Sequence, residues 1–158
     1  MTAFLATPES AVSIYQHILV AVEADENEGR ALLSHANQLA RQFGASLTVL
    51  SVVEPVLTDF NGDIGVVPTQ FTSELVELAG KRLRPLCAAE GLDPGRLRVE
   101  VGPITATILE VAQHVDADLI VLGHHPLRGF AALFSHTDKG VVGHAPCDVL
   151  AVRLKPAK

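Results

Sequence analysis

The chain has 158 residues, the length of one domain with a sizeable core. Its composition is 48% hydrophobic with only 4% aromatic residues and no Trp. The core is therefore built of Val, Leu, Ile and Ala, and a base-stacking platform for single-stranded nucleic acid is disfavoured. The formal net charge is −6 and no Lys/Arg cluster occurs, so nothing replaces phosphate counterions and nucleic acid is not an expected partner.

Residues 1–15 read as an irregular leader, and 16–155 as a single domain. "MTAFLATPESAVSIYQ" lacks a basic n-region and contains Glu9, which is unlike a secretory signal. No stretch approaches the roughly 18 uninterrupted apolar residues of a membrane span. Cys87 and Cys147 form no CxxC pair and read as small hydrophobes in a reducing compartment. A cytoplasmic location without a membrane partner is the expectation.

"HILVAV" (17–22) is a continuous apolar run of strand length, the pattern of a parallel strand covered on both faces. From Asp25 to Phe43 the period becomes helical, with Leu32, Ala36, Leu39, Ala40 and Phe43 on one stripe and Gly44 as the stop. "SLTVLSVV" (46–53) is a second buried strand. Residues 54–69 carry Pro55, Gly62, Gly65 and Pro68 without a period and read as a long loop. Helical spacing resumes over about Phe71–Glu90 (Leu75, Val76, Ala79, Leu83, Leu86, Cys87) and ends at Gly91.

"LRVEV" (97–101) alternates like an edge strand. Ile104, Ile108, Val111, Ala112 and Val115 mark a third helix. "LIVL" (119–122) is another buried strand, Thr137–Gly143 a short helix, and "DVLAVRL" (148–154) a final strand. This alternation predicts an α/β fold: an open, doubly wound, five-stranded parallel sheet with helices on both faces. Ligands of such sheets bind beyond the C-terminal strand ends. That places the candidate site at Val22–Asp25, Val52–Glu54 and Gly123–Thr137. No P-loop, dinucleotide fingerprint or nucleophile elbow is present.

"HILVAVEADENEGRAL", "VGPITATILEVAQHVDADLIVLGHH" and "HAPCDVLAVR" together resemble the universal stress protein family, over nearly the whole of His17 to Arg153. The resemblance implies a Rossmann-like sandwich with strand order 3-2-1-4-5. One branch of the family binds ATP through Gly, two residues, Gly, nine residues, Gly and Ser or Thr after the fourth strand. The other, the universal stress protein A type, lacks that motif and also begins its loop "GHH".

Here Gly123 fits the first position, but Pro126 stands at the second Gly and His136, between Ser135 and Thr137, at the third. Phosphate-loop glycines let backbone N–H groups converge on the anion. Pro126 removes one donor and fixes φ. Ser135 and Asp138 read as the N-cap and first-turn acid of the short helix, which already satisfies its dipole.

The resemblance gives a candidate nucleotide pocket of Val22, Glu23, Val52, Gly102, Gly123, His124, Gly129, Ser135, His136 and Thr137, with ATP or AMP as candidate ligands. Glu23 stands where the family has an Asp near the ribose and adenine. Plain structural roles stand beside this: Glu23 as a cap of the first helix, His124 as a loop-shaping hydrogen-bonder, and, outside the pocket, His144 as a residue that packs and bonds locally.

His124 and His125 are adjacent and point apart, so no metal is expected. The last strand, Asp148 to Leu154, would expose unpaired backbone at the sheet edge, and pairing in a homodimer would cover it.

The expected function is that of a non-enzymatic, dimeric stress-response protein acting through a protein partner or small effector. The alternative is an adenine-nucleotide-binding stress protein with slow or no ATPase activity. A metal-dependent hydrolase using the histidines is the least supported reading.

Overall fold

The continuous apolar runs become the central sheet. The computed structural model describes residues 13–24, 26–55, 57–60, 63–66, 69–124 and 140–154. In chain order the elements are β1 (His17–Ala21), α1 (Glu26–Phe43), β2 (Ser46–Val53), β3 (Leu57–Phe60), β4 (Asp63–Val66), α2 (Thr69–Ala89), β5 (Leu97–Val101), α3 (Ile104–His114), β6 (Leu119–His124) and β7 (Asp148–Arg153). A 3-10 turn at Pro94–Arg96 precedes β5, and residues 140–144 are helical.

The main sheet has the order β5-β2-β1-β6-β7, all pairs parallel. Numbered among the sheet strands alone, this is 3-2-1-4-5. Alternate residues of the central strands feed two separate cores. Ile18, Val20, Leu47, Val49, Leu119 and Val121 pack with α1 and α2 on one face. Leu19, Leu50, Ile120 and Leu122 pack with Ile108, Val111 and Ala112 of α3 and with Val141 on the other. Burial on both faces explains why β1, β2 and β6 read as unbroken apolar runs. β5, at the edge, is half-buried and alternates.

The three helices stop in the same way. Gly44 (φ 63°) donates to Arg41 O while Ala45 donates to Ala40 O. Gly91 (φ 71°) and Leu92 repeat the pair on Ala88 and Cys87. Asp116 (φ 53°) and Ala117 repeat it on Gln113 and Ala112. Each is a left-handed residue closing the last turn. Asp116 thus closes α3 from the residue after its C-cap.

Segment 54–69 departs from the expected loop. Leu57–Phe60 and Asp63–Val66 pair as an antiparallel hairpin that joins no strand of the main sheet. α2 also differs from the expected stripe. Ala79, Leu83, Leu86 and Cys87 are buried, but Leu75 is 38% exposed. The cause is position: none of residues 71–78 is buried, so this half of the helix lies outside the core.

At the N-terminal pole the Asp118 carboxylate accepts from the Gln16 and His17 amides, tying β1 to β6. The expected short helix at 137–143 is seen only from 140, and the rest lies outside the described residues, as do 1–12 of the leader. Both cysteines are free; Cys87 is buried and Cys147 half-buried, and burial pushes both thiols up. No described helix is long and apolar enough to cross a membrane.

Candidate functional site

The C-terminal ends of β1, β2, β5 and β6 lie side by side. The Val22 amide donates to Leu50 O (2.8 Å), and the Gly102 amide to Val53 O (3.1 Å). These bonds bring Val22, Val52 and Gly102 to one pole, with Gly123 and His124 at the end of the neighbouring β6. Val22 is buried in the α1-side core. Val52 is half-buried against the α3-side core. Glu23 is exposed and His124 half-buried. Gly129, Ser135, His136 and Thr137, together with Pro126, lie outside the described residues.

Gly102 meets a steric need. A Cβ there would stand 2.7 Å from Oγ1 of the buried Thr107, and φ is 156°. The next residues, Pro103 and Ile104, open α3 without a side-chain cap or an acid in the first turn. The first amides of that turn, which have no partner within the helix, face the same pole and carry its positive dipole end.

Between α1 and β6 is a cleft of about 40 Å³, lined by Glu23, Glu28, Gly29, Leu32, Gly123 and Leu154 among others. Small-ligand pockets begin at about 300 Å³. The packing explains the tightness. A Cβ on residue 123 would lie 2.6 Å from Leu154 Cδ1 and 3.5 Å from Leu32 Cδ2. A Cβ on residue 29 would lie 2.9 Å from the Glu23 carbonyl oxygen. Gly29 therefore lets the first turn of α1 press on the chain leaving β1.

Glu28, Gly29, Leu32 and Leu154 were not among the expected site residues. Gly29 carries no local signal, because a glycine in a helix normally weakens it. Leu154 is placed by its amide, which donates to His124 O and extends the β6–β7 pairing by one residue.

At the opposite pole His17 Nε2 is 2.7 Å from Thr48 Oγ1. Burial, and secondarily the charge of Arg96, hold the imidazole below its ordinary value of 6.5. His144 Nδ1 pairs with Gly140 O (3.1 Å), the local role expected for it. Among the described residues no three His, Cys, Asp or Glu side chains converge as a metal site would require.

Residues 14–153 fit the model of the universal stress protein family. The chain belongs to that family. Universal stress protein A homolog 2 of Coxiella burnetii (strain RSA 493 / Nine Mile phase I) is 34% identical over 142 residues, covering 89% of this chain and 97% of the relative. Among solved structures, universal stress protein UspA from Lactobacillus plantarum is similar with a TM-score of 0.64 and 27% identity, over 88% of this chain and 98% of that one. A universal stress protein crystallised in complex with cAMP shares the fold, with a TM-score of 0.55 and 23% identity, over 87% of this chain and 96% of that one.

Proposed function

We propose that this universal stress protein is a regulatory dimer that acts through a protein partner or small effector and has no chemistry of its own. The observation that carries the reading is the packing of Leu154 over Gly123. A side chain at the glycine that opens the family's ATP motif would meet Leu154 Cδ1, and the cleft beside it holds about 40 Å³. Pro126 and His136 support the same reading, because they replace two glycines whose backbone would approach phosphate. A cytoplasmic location accords with it. Dimerisation through β7 would cover the open edge of the sheet.

Adenine-nucleotide binding is the second reading. It is favoured by the uncapped start of α3 at the same pole and by the relative crystallised with cAMP. In that case Glu23 and Val52 hold the nucleoside, and Gly123, Gly129, Ser135, His136 and Thr137 hold phosphate. Titration calorimetry with Mg-ATP, AMP and cAMP separates the two.

A further inference from the structure

The first half of α2 lies outside the core and presents an apolar stripe to solvent. Phe71 is 57%, Leu75 38% and Leu78 43% exposed, and none of residues 71–78 is buried, whereas Ala79 is. The spacing of 71, 75, 78 and 82 places these positions on one face. Exposed Arg82 continues the stripe, and exposed Glu74 lies beside it. Glu77 is engaged within the helix by Lys81 (3.1 Å). Neither Glu74 nor Arg82 has an ion-pair partner among the described residues.

This pattern is complementary to itself. When two α2 helices lie antiparallel with their Leu78 residues on the two-fold axis, Glu74 of each faces Arg82 of the other. Leu75 and Phe71 then flank the central leucines on both sides. An isologous contact needs such a patch, in which the same surface serves both partners. The charges select the antiparallel register, because a parallel pairing sets Glu74 against Glu74 and Arg82 against Arg82.

We propose that the exposed face of α2 around Leu78 is an interface for a second copy of this chain. It is distinct from the β7 edge, which lies across the sheet and leaves α2 free. A seam of about three helical turns belongs to the small end of specific interfaces, so the contact is weak and concentration-dependent. Combined with pairing at β7, it links dimers into larger assemblies.

The test uses the full-length chain with Leu78→Cys in a Cys147→Ser background, oxidised by a glutathione buffer at micromolar protein. A cysteine on the two-fold axis reports this contact alone, whatever happens at β7. Disulfide-linked dimer is expected to form at least tenfold faster than for Glu110→Cys, an exposed position on α3. Adding Glu74→Arg is expected to slow it roughly tenfold, because two exposed pairs change sign at once. Adding Arg82→Glu to that variant restores the rate. Cross-linking no faster than for Glu110→Cys overturns the proposal. So does a rate that ignores Glu74→Arg, or one that Arg82→Glu fails to restore.

Discussion

Leu154 Cδ1 lies 2.6 Å from the point where a Cβ on residue 123 would stand. The half-buried end of β6 therefore meets the first residue after β7, and a side chain at position 123 would have to displace the tip of Leu154. Gly123→Ala is expected to force Leu154 aside and to lower stability by about 1–3 kcal/mol, the usual cost of overpacking. Leu154→Ala alone removes buried methyls and costs about 2–5 kcal/mol. The double variant is expected to be more stable than the sum of the two losses, since the clash disappears with the leucine. Urea denaturation of the four proteins measures that coupling; strict additivity would show that the two residues do not compete for one space.

The helix ends offer a matched pair of changes. Nothing lies within 4 Å of a Cβ built on Gly44, so Gly44→Ala is a purely conformational substitution at φ 63°. It is expected to cost about 1–2 kcal/mol. Asp116 holds the same left-handed position at the end of α3, and Asp116→Gly is expected to stabilise by about 0.5–1 kcal/mol. Opposite signs in the midpoint shift of thermal unfolding are the prediction.

His17 gives the protein a pH dependence of known sign. Its folded pKa is depressed below 6.5, chiefly by burial. The unfolded chain therefore binds more protons in the window just below pH 6.5, and stability rises with pH there. The contribution is fully present above the unfolded value and declines as pH falls toward the folded one. His17→Gln is expected to flatten the stability profile across that window. An unchanged slope would assign the acid sensitivity to other groups.

β7 carries a backbone test of dimerisation. The Leu154 amide points to β6, where it meets His124 O, so strand alternation turns the amide of Ala151 outward. Ala151→Pro removes one outward donor and leaves the ladder with β6 intact. Light scattering at micromolar protein is expected to give a dimer for the parent and a monomer for the variant. A parent monomer contradicts edge pairing.

Much of the fold was legible because parallel strands covered on both faces leave continuous apolar runs, as in Ile18–Val22 and Leu119–Leu122. The helix stops at Gly44 and Gly91 were legible for an equally local reason, the need for a left-handed residue. The hairpin was obscured by Pro55, Gly65 and Pro68, which look like loop residues. Asn61-Gly62 between two four-residue runs was the usable signal, being a favoured two-residue hairpin connection.

The site was less legible than the sheet. Gly123 could be picked out, but its partner Leu154 is 31 positions away in the chain and meets it only through the β6–β7 pairing. Gly29 serves a contact with the Glu23 carbonyl that no local pattern encodes. Leu75 fits the helical stripe, yet that stripe overruns the core it was expected to cover.

The most direct measurement is isothermal calorimetry of the purified, nucleotide-free protein against Mg-ATP, with AMP and cAMP as further titrants. Gly123 packed beneath Leu154 predicts no heat of binding at millimolar nucleotide from a protein shown to be folded. Saturable binding at micromolar concentration would contradict the central claim and make nucleotide sensing the function of this pole.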